Sequence, residues 1–332
     1  MRPRRLAVLP IAGLLGFLWT LLLPLSPVAQ TRPLVPGQPR GPRFIGLMSG
    51  GVDGTYVRIA ADIAAVLDDP PQLRVVPMLG KGSVQNIDDL LHLPGVDLAV
   101  VQSDVLAFIR KEKINPGAER NVGYVAKLYE EEVHILAGPD VKSIADLRNR
   151  AVNVDVRGSG TALTATTLFD ALGIPFIPVN DDGPTALYKL RRGEVAALMY
   201  VAGKPTRLFS GVEAGSGLHF LSVPLTPALL ENYVPTRLGT SDYPALVDAN
   251  GEVQTVAVGA VLAAFLWPPG TEGRRRIETF QAAFTSKFSR FREPQRHPKW
   301  RDVNLAAEIP GWLRIQPAAK APVIAGAAAS NR

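Results

Sequence analysis

The feature that most constrains this chain is a repeated unit: an apolar run, a turn of small residues, then a helix with one apolar face. The stretch AVNVDVRGSGTALTATTLFDALGIP carries it whole. An apolar strand ends at Val156, the turn RGSGT follows, and a helix is expected from Thr161 to Leu172 with Ala165, Leu168, Phe169 and Leu172 on one face. Gly173 and Pro175 then stop the helix. The same unit opens with RFIGLMS, whose glycine turn leads into a helix from Thr55 to Leu67. There Tyr56, Ile59, Ala60, Ile63, Ala64 and Leu67 share a face. LRVVPML precedes a helix from Ser83 to Leu91, and VDLAVVQS is continuously apolar, as a strand covered on both faces must be. NVGYVAKLYEEEVHILAG carries one or two further strands. TALYKLRRGE reads as a helix and ALMYV and VQTVAVGAVLAAF as strands. A long helix is expected from Thr271 to about Phe291, with Ile277, Phe280, Phe284, Phe288 and Phe291 as a core stripe. Strand and helix alternating over this length predict an α/β fold with mostly parallel sheets, and two such series predict two lobes.

Ligands of such sheets sit beyond the carboxyl ends of the strands. The residues there are SGGVDGTY (Ser49, Gly50, Gly51, Asp53, Gly54, Thr55, Tyr56), GKGSVQN (Gly82, Ser83, Asn86), QSD (Gln102, Ser103), RGSGT (Arg157, Ser159, Gly160, Thr161) and AGKP (Ala202, Gly203). Each turn alone reads equally as a helix cap, because Ser, Thr, Asp and Gly are ordinary caps. Their convergence at equivalent strand ends points to a ligand cleft. The turn at Ser159 to Thr161 suits a carboxylate, held by backbone N–H groups, by the Ser159 and Thr161 hydroxyls and by Arg157. A dinucleotide is excluded there, because Leu163 stands where the third glycine of that fingerprint belongs. GKGS lacks the upstream glycine spacing of a phosphate loop. No cofactor is expected.

The termini set the compartment. Arg2, Arg4 and Arg5 precede an apolar run from Leu6 to Leu25, and small residues close it near Ala29. That is the layout of an export signal (1–29). The alternative is an uncleaved anchor, since the run approaches the roughly 20 residues that span a bilayer. Residues 30–42 read as a linker and 316–332 as a mobile tail. There is no cysteine, hence neither disulfide nor thiolate metal site. The net charge of +6 falls to about +3 without the three leading arginines. No basic cluster interleaves with aromatics, so no nucleic-acid partner is expected. The four histidines (His92, His134, His219 and His297) are not at metal-ligand spacing, and none lies in the five turns. His134 reads as packed core. Ser159 lacks both the nucleophile-elbow pattern and a placeable histidine, so neither a metal site nor an enzyme is expected.

The chain resembles the solute-binding subunits of TRAP transporters of the TAXI type. The resemblance runs from about Phe44 to Leu305 and is carried by SGGVDGTYVRIAADIAAVL, GKGSVQNIDDLLHLPGVDLAVVQSDV, KSIADLRNRAVNVDVRGSGT and ALMYVAGKPT, in the family's order. It implies a type II periplasmic binding-protein fold that closes on a small carboxylate such as a dicarboxylate, an oxo-acid or an acidic amino acid. It also implies delivery to a membrane permease; the N-terminal signal predicts a periplasmic location, and a monomer is expected. Pattern and resemblance together place lobe one at 43–136 plus 226–315 and lobe two at 137–225. The carboxylate is expected on Ser159 to Thr161, and the ligand's other end near Ser49 to Tyr56, Ser83 and Gln102. A sensor that presents its closed form to a membrane receptor would use the same cleft. Three features depart from the family pattern. Asp53 is either a helix cap or the partner of a ligand ammonium; Lys204 is expected to reach solvent; Glu130 to Glu132 are expected to form a solvated turn.

Overall fold

The computed structural model describes residues 44–316. The expected export signal, the linker and the tail beyond Gln316 lie outside the described residues.

The first half of the chain lays down β1 (Phe44–Met48), α1 (Thr55–Leu67), β2 (Arg74–Met78), α2 (Ser83–His92) and β3 (Val96–Gln102). Two helices, α3 (Val105–Glu112) and α4 (Ala118–Asn121), lead into the long strand β4 (Val122–Ala137). After a 3-10 turn at Ile144–Leu147 come β5 (Ala151–Asn153), α5 (Gly160–Ala171), β6 (Ile177–Val179), α6 (Gly183–Arg191) and β7 (Ala197–Ala202). The chain then runs through α7 (Arg207–Ser210), β8 (His219–Phe220), α8 (Pro227–Leu230) and β9 (Val234–Gly239) into a second long strand, β10 (Glu252–Phe265). It ends with α9 (Glu272–Ser286), 3-10 turns at Phe288–Arg292 and Pro298–Asp302, and β11 (Leu313–Arg314).

All strands join one sheet in the order β2-β1-β3-β10-β4-β7-β5-β6. The outer trios β2-β1-β3 and β7-β5-β6 are parallel, as strands joined by crossover helices must be. The two long strands run antiparallel between them and belong to both lobes. One end of β10 pairs with β9 and the other with β3, while β4 passes from β10 at Glu132 to β7. Their alternating side chains fill different cores. Ala260, Leu262 and Ala264 enter the core beneath α1 and α9, Val261 and Ala263 the core beneath α2 and α3, and Val256 and Val258 a core of the second lobe. Burial on both faces explains why these strands read as continuous apolar runs. A Cβ on Gly259 would lie 2.9 Å from the far end of the flexible Lys127 side chain, which can move aside.

Most elements lie where periodicity put them; α1 begins and ends at the expected residues. The last helix is shorter than expected. It stops at Ser286, and 3-10 winding at Phe288–Arg292 lets Phe291 stack on Trp300 with ring centroids 4.4 Å apart. The acidic run is corrected outright. Glu130 to Glu132 lie inside β4 rather than in a turn, with Glu131 and Glu132 only 2% and 3% exposed. Lys204 remains partly exposed, as expected, while its ammonium bonds the Arg237 carbonyl and pairs with Asp242 at 3.0 Å. His134 is packed core, fully buried among Phe209, Phe220 and Tyr243. Burial pushes its pKa down to about 3, so it is neutral.

Candidate functional site

A cavity of about 50 Å³ lies where the two lobes face each other. On one side it is lined by Gly50, Gly51, Gly54, Thr55 and Tyr56 at the start of α1, with Lys81, Gly82 and Gln102. On the other lie Asp155, Ser159, Gly160, Thr161, Tyr200 and Val201. Glu131, on the long strand β4, lies in the wall as well. An outer vestibule of about 410 Å³ shares Gly51, Lys81, Asp155 and Tyr200 and adds Asp53 and the start of α6.

The sequence builds this cavity from helix N-termini. No side chain caps α1, so its first N–H groups are open to a ligand. On α5 the Ser159 hydroxyl accepts from Ala162 N at 3.1 Å, which caps one N–H and leaves those of Gly160 and Thr161 without an intrahelical acceptor. Both ends carry partial positive charge toward the cavity.

The rest of the wall is acidic. Glu131 accepts the Tyr56 hydroxyl at 2.6 Å. Burial pushes its carboxyl well above the usual range, the Tyr56 bond opposes this, and the nearby Glu132 charge adds to it. Asp155 is pushed up to about 6 by burial, against bonds from Val156 N and Ser159. Burial likewise raises the Tyr56 and Tyr200 phenols, which stay protonated donors. Lys81, the one cation on the wall, is exposed and sits where cavity and vestibule meet.

The lobes touch directly around this space. Val84 N and Gln85 N, at the start of α2, both donate to the Gly158 carbonyl at 3.1 Å. Thr164 Oγ1 donates to Gln102 Oε1 at 3.3 Å, and Thr55 Oγ1 to the Gly203 carbonyl at 3.3 Å. A Cβ on Gly160 would lie 2.5 Å from Gln102 Oε1 and 2.8 Å from Ser83 Oγ. The lobes are therefore closed on each other, and glycine permits the approach.

A family model described as the NMT1-like family matches residues 47–265, about two-thirds of the 332 residues. The chain belongs to the NMT1-like family. The matched segment contains every residue that lines the cavity. The shared sheet, its two long crossing strands and this membership give a type II periplasmic binding-protein fold. Solved structures follow a similar path. One is a periplasmic transporter at 12% identity and TM-score 0.48, covering 74% of this chain and 82% of its own. The periplasmic binding protein BugD matches at 14% and 0.48, covering 81% and 89%. Rpa4515 of R. palustris with adipate matches at 20% and 0.46, covering 75% and 86%. These likenesses are too loose to carry a ligand or a partner across.

Of the residues singled out in the sequence, Gly50, Gly51, Gly54, Thr55, Tyr56, Gly82, Gln102, Ser159, Gly160 and Thr161 meet at the cavity. The others lie around it. Asp53 stands in the vestibule and does not cap α1. Ser49 donates to the Met78 carbonyl at 2.7 Å, and Asn86 ties the Ser49 and Val100 carbonyls at 2.6 and 2.8 Å. Ser83 Oγ accepts from Gln102 N at 2.9 Å. These three hold the turns in shape from behind the wall. Arg157 is exposed outside the cavity, and Ser103 lines a separate space near Asp104. Ala202 lies in β7, and Gly203 contributes only its carbonyl, to Thr55. Sequence reasoning missed Glu131, Asp155, Tyr200, Val201 and Lys81. For Glu131 a signal existed: three acids inside an otherwise apolar strand, where acids are rare.

Proposed function

We propose that this chain is an extracytoplasmic solute-binding protein of the TAXI type, which captures a small carboxylate between its lobes and hands it to a TRAP-type permease. The observation that carries this reading is the interlobe cavity that the open N-termini of α1 and α5 both border. A carboxylate there receives the N–H groups of Gly160 and Thr161 from one lobe and those at Thr55 and Tyr56 from the other. Both sets of contacts exist only when the lobes are together, so binding favours closure by that difference alone. The resemblance supports the permease partner, and the arginine-led apolar N-terminus supports export. Among the described residues no histidine lines the cavity, and the Ser159 hydroxyl caps α5.

A thermal-shift screen of residues 30–332 against dicarboxylates, oxo-acids and amino acids tests this. A ligand at a hundredfold excess over its Kd stabilises the folded state by about 2.7 kcal/mol. At least one member is expected to raise the Tm by several degrees; a flat response across the panel rejects the reading.

A further inference from the structure

We propose that the ligand's second pole is a protonated amine received by Glu131 and Asp155, so that the cleft selects amine-bearing carboxylates over their amine-free counterparts. This rests on the binding reading above and narrows it.

Glu131 differs from most buried carboxylates of the described residues; Asp104 also bonds only a tyrosine, but it borders a separate space rather than the cavity. Glu132 pairs with Lys299 at 2.7 Å, Asp97 with Arg276, and Asp62 with Arg296 at 3.4 Å. Glu131 is as deeply buried, yet among the described residues no cation pairs with it, and its hydrogen bond comes from the neutral Tyr56 phenol. A buried carboxyl without a counter-ion is costly unless it is protonated or unless a cation arrives. Glu131 opens onto the cavity, so an arriving ligand can supply that cation.

Asp155 is the second acceptor. Its backbone is left-handed, with φ 63, and it borders both the cavity and the vestibule, again without a paired cation among the described residues. The site is thus bipolar. Helix N-termini of α1 and α5 favour an anion, while Glu131 and Asp155 favour a cation. A plain dicarboxylate would set its second carboxylate against these two acids. An α-amino acid meets both poles.

Protonation follows. The groups facing Glu131 are Tyr56 from α1, Tyr129 and Glu132 on its own strand, Asp104 at the start of α3, and Lys299 from the 3-10 turn at Pro298–Asp302. Burial is the main cause that raises the Glu131 carboxyl in the empty cleft, with Glu132 and Asp104 adding to it and Tyr56 and Lys299 opposing it. An incoming ammonium favours the ionised carboxylate, so a proton held there passes to the buffer while the ligand keeps its own.

Titration calorimetry at pH 7 with L-glutamate against glutarate, L-aspartate against succinate and L-alanine against propionate tests this. At least one amine-bearing member is expected to bind about tenfold to a hundredfold more tightly than its partner, as for a hydrogen bond to a charged group. Its apparent enthalpy should differ between phosphate and Tris buffers, reporting proton release. Glu131→Gln should erase most of the preference and the proton release, with circular dichroism confirming its fold, and Asp155→Asn should reduce the preference independently. Equal affinities within every pair and no proton release would overturn the amine and leave the binding reading standing. A preference untouched by both variants overturns the two acceptors. Binding by no member overturns both.

Discussion

Asp104 carries an unusual electrostatic load for a single side chain. One of its oxygens accepts the Tyr233 hydroxyl at 3.0 Å, while Oδ1 is buried with no partner. Burial pushes its pKa up to about 7 against the pull of that bond. Because the folded value lies above the unfolded one, near 4, the folded chain holds this proton more tightly. Its contribution to stability is thus greatest below about pH 4, falls as pH rises toward 7, and stays low above. Asp104→Asn, which cannot ionise, should therefore stabilise the protein at pH 8 by about 1–4 kcal/mol and change little at pH 4. Urea unfolding at the two pH values measures this. An equal effect at both would mean that the ionised carboxylate is accommodated after all. The residue scale is also where the sequence is hardest to read. Glu130 bonds Lys127, Glu132 bonds Lys299, and Glu131 faces the cavity, so three identical letters have three fates. Composition suggests a solvated run, because nothing local reveals that Lys299 arrives 167 positions away.

At the scale of the element, helix positions were legible because each helix has one strong face. On α1, five of the six expected inward residues are buried and Ala64 is partly so. Turns with small residues were legible for the same reason as caps: only a few residue types serve there. Short or single-edged pieces were not. The strand β9 contains Pro235 and pairs only with β10, so it lacks the run of alternation that would mark it. The helix α3 follows QSD directly and was hidden by the turn reading. On α9 the aromatic stripe has a measurable weight. Phe284 is 1% exposed, 5.3 Å from Phe291 and 6.2 Å from Trp300 by ring centroid. Phe284→Ala should cost about 3–5 kcal/mol of stability, read as a lower urea midpoint. A loss below 1 kcal/mol would mean the stripe collapses around the gap.

For the molecule as a whole, closure is the property that matters. The cavity exists because Gly160 can approach Gln102 and Ser83 across the cleft. Gly160→Val places a branched side chain into that contact. It should prop the lobes apart, enlarging the radius of gyration in small-angle scattering while far-ultraviolet circular dichroism stays native. Ligand affinity should fall about tenfold or more, since only the closed fraction binds. Unchanged scattering and affinity would show that the lobes close elsewhere. How the lobes meet could not be read from the chain, because it depends on β4 and β10 threading both halves, a relation between residues far apart in sequence.

The doubled bond from the start of α2 to the Gly158 carbonyl has a temporal side. It joins protein to protein, so it forms whether or not a cargo is enclosed. Separation of the lobes must wait for both N–H groups to let go of one oxygen. The time a molecule spends inside is then governed partly by a clasp it never touches.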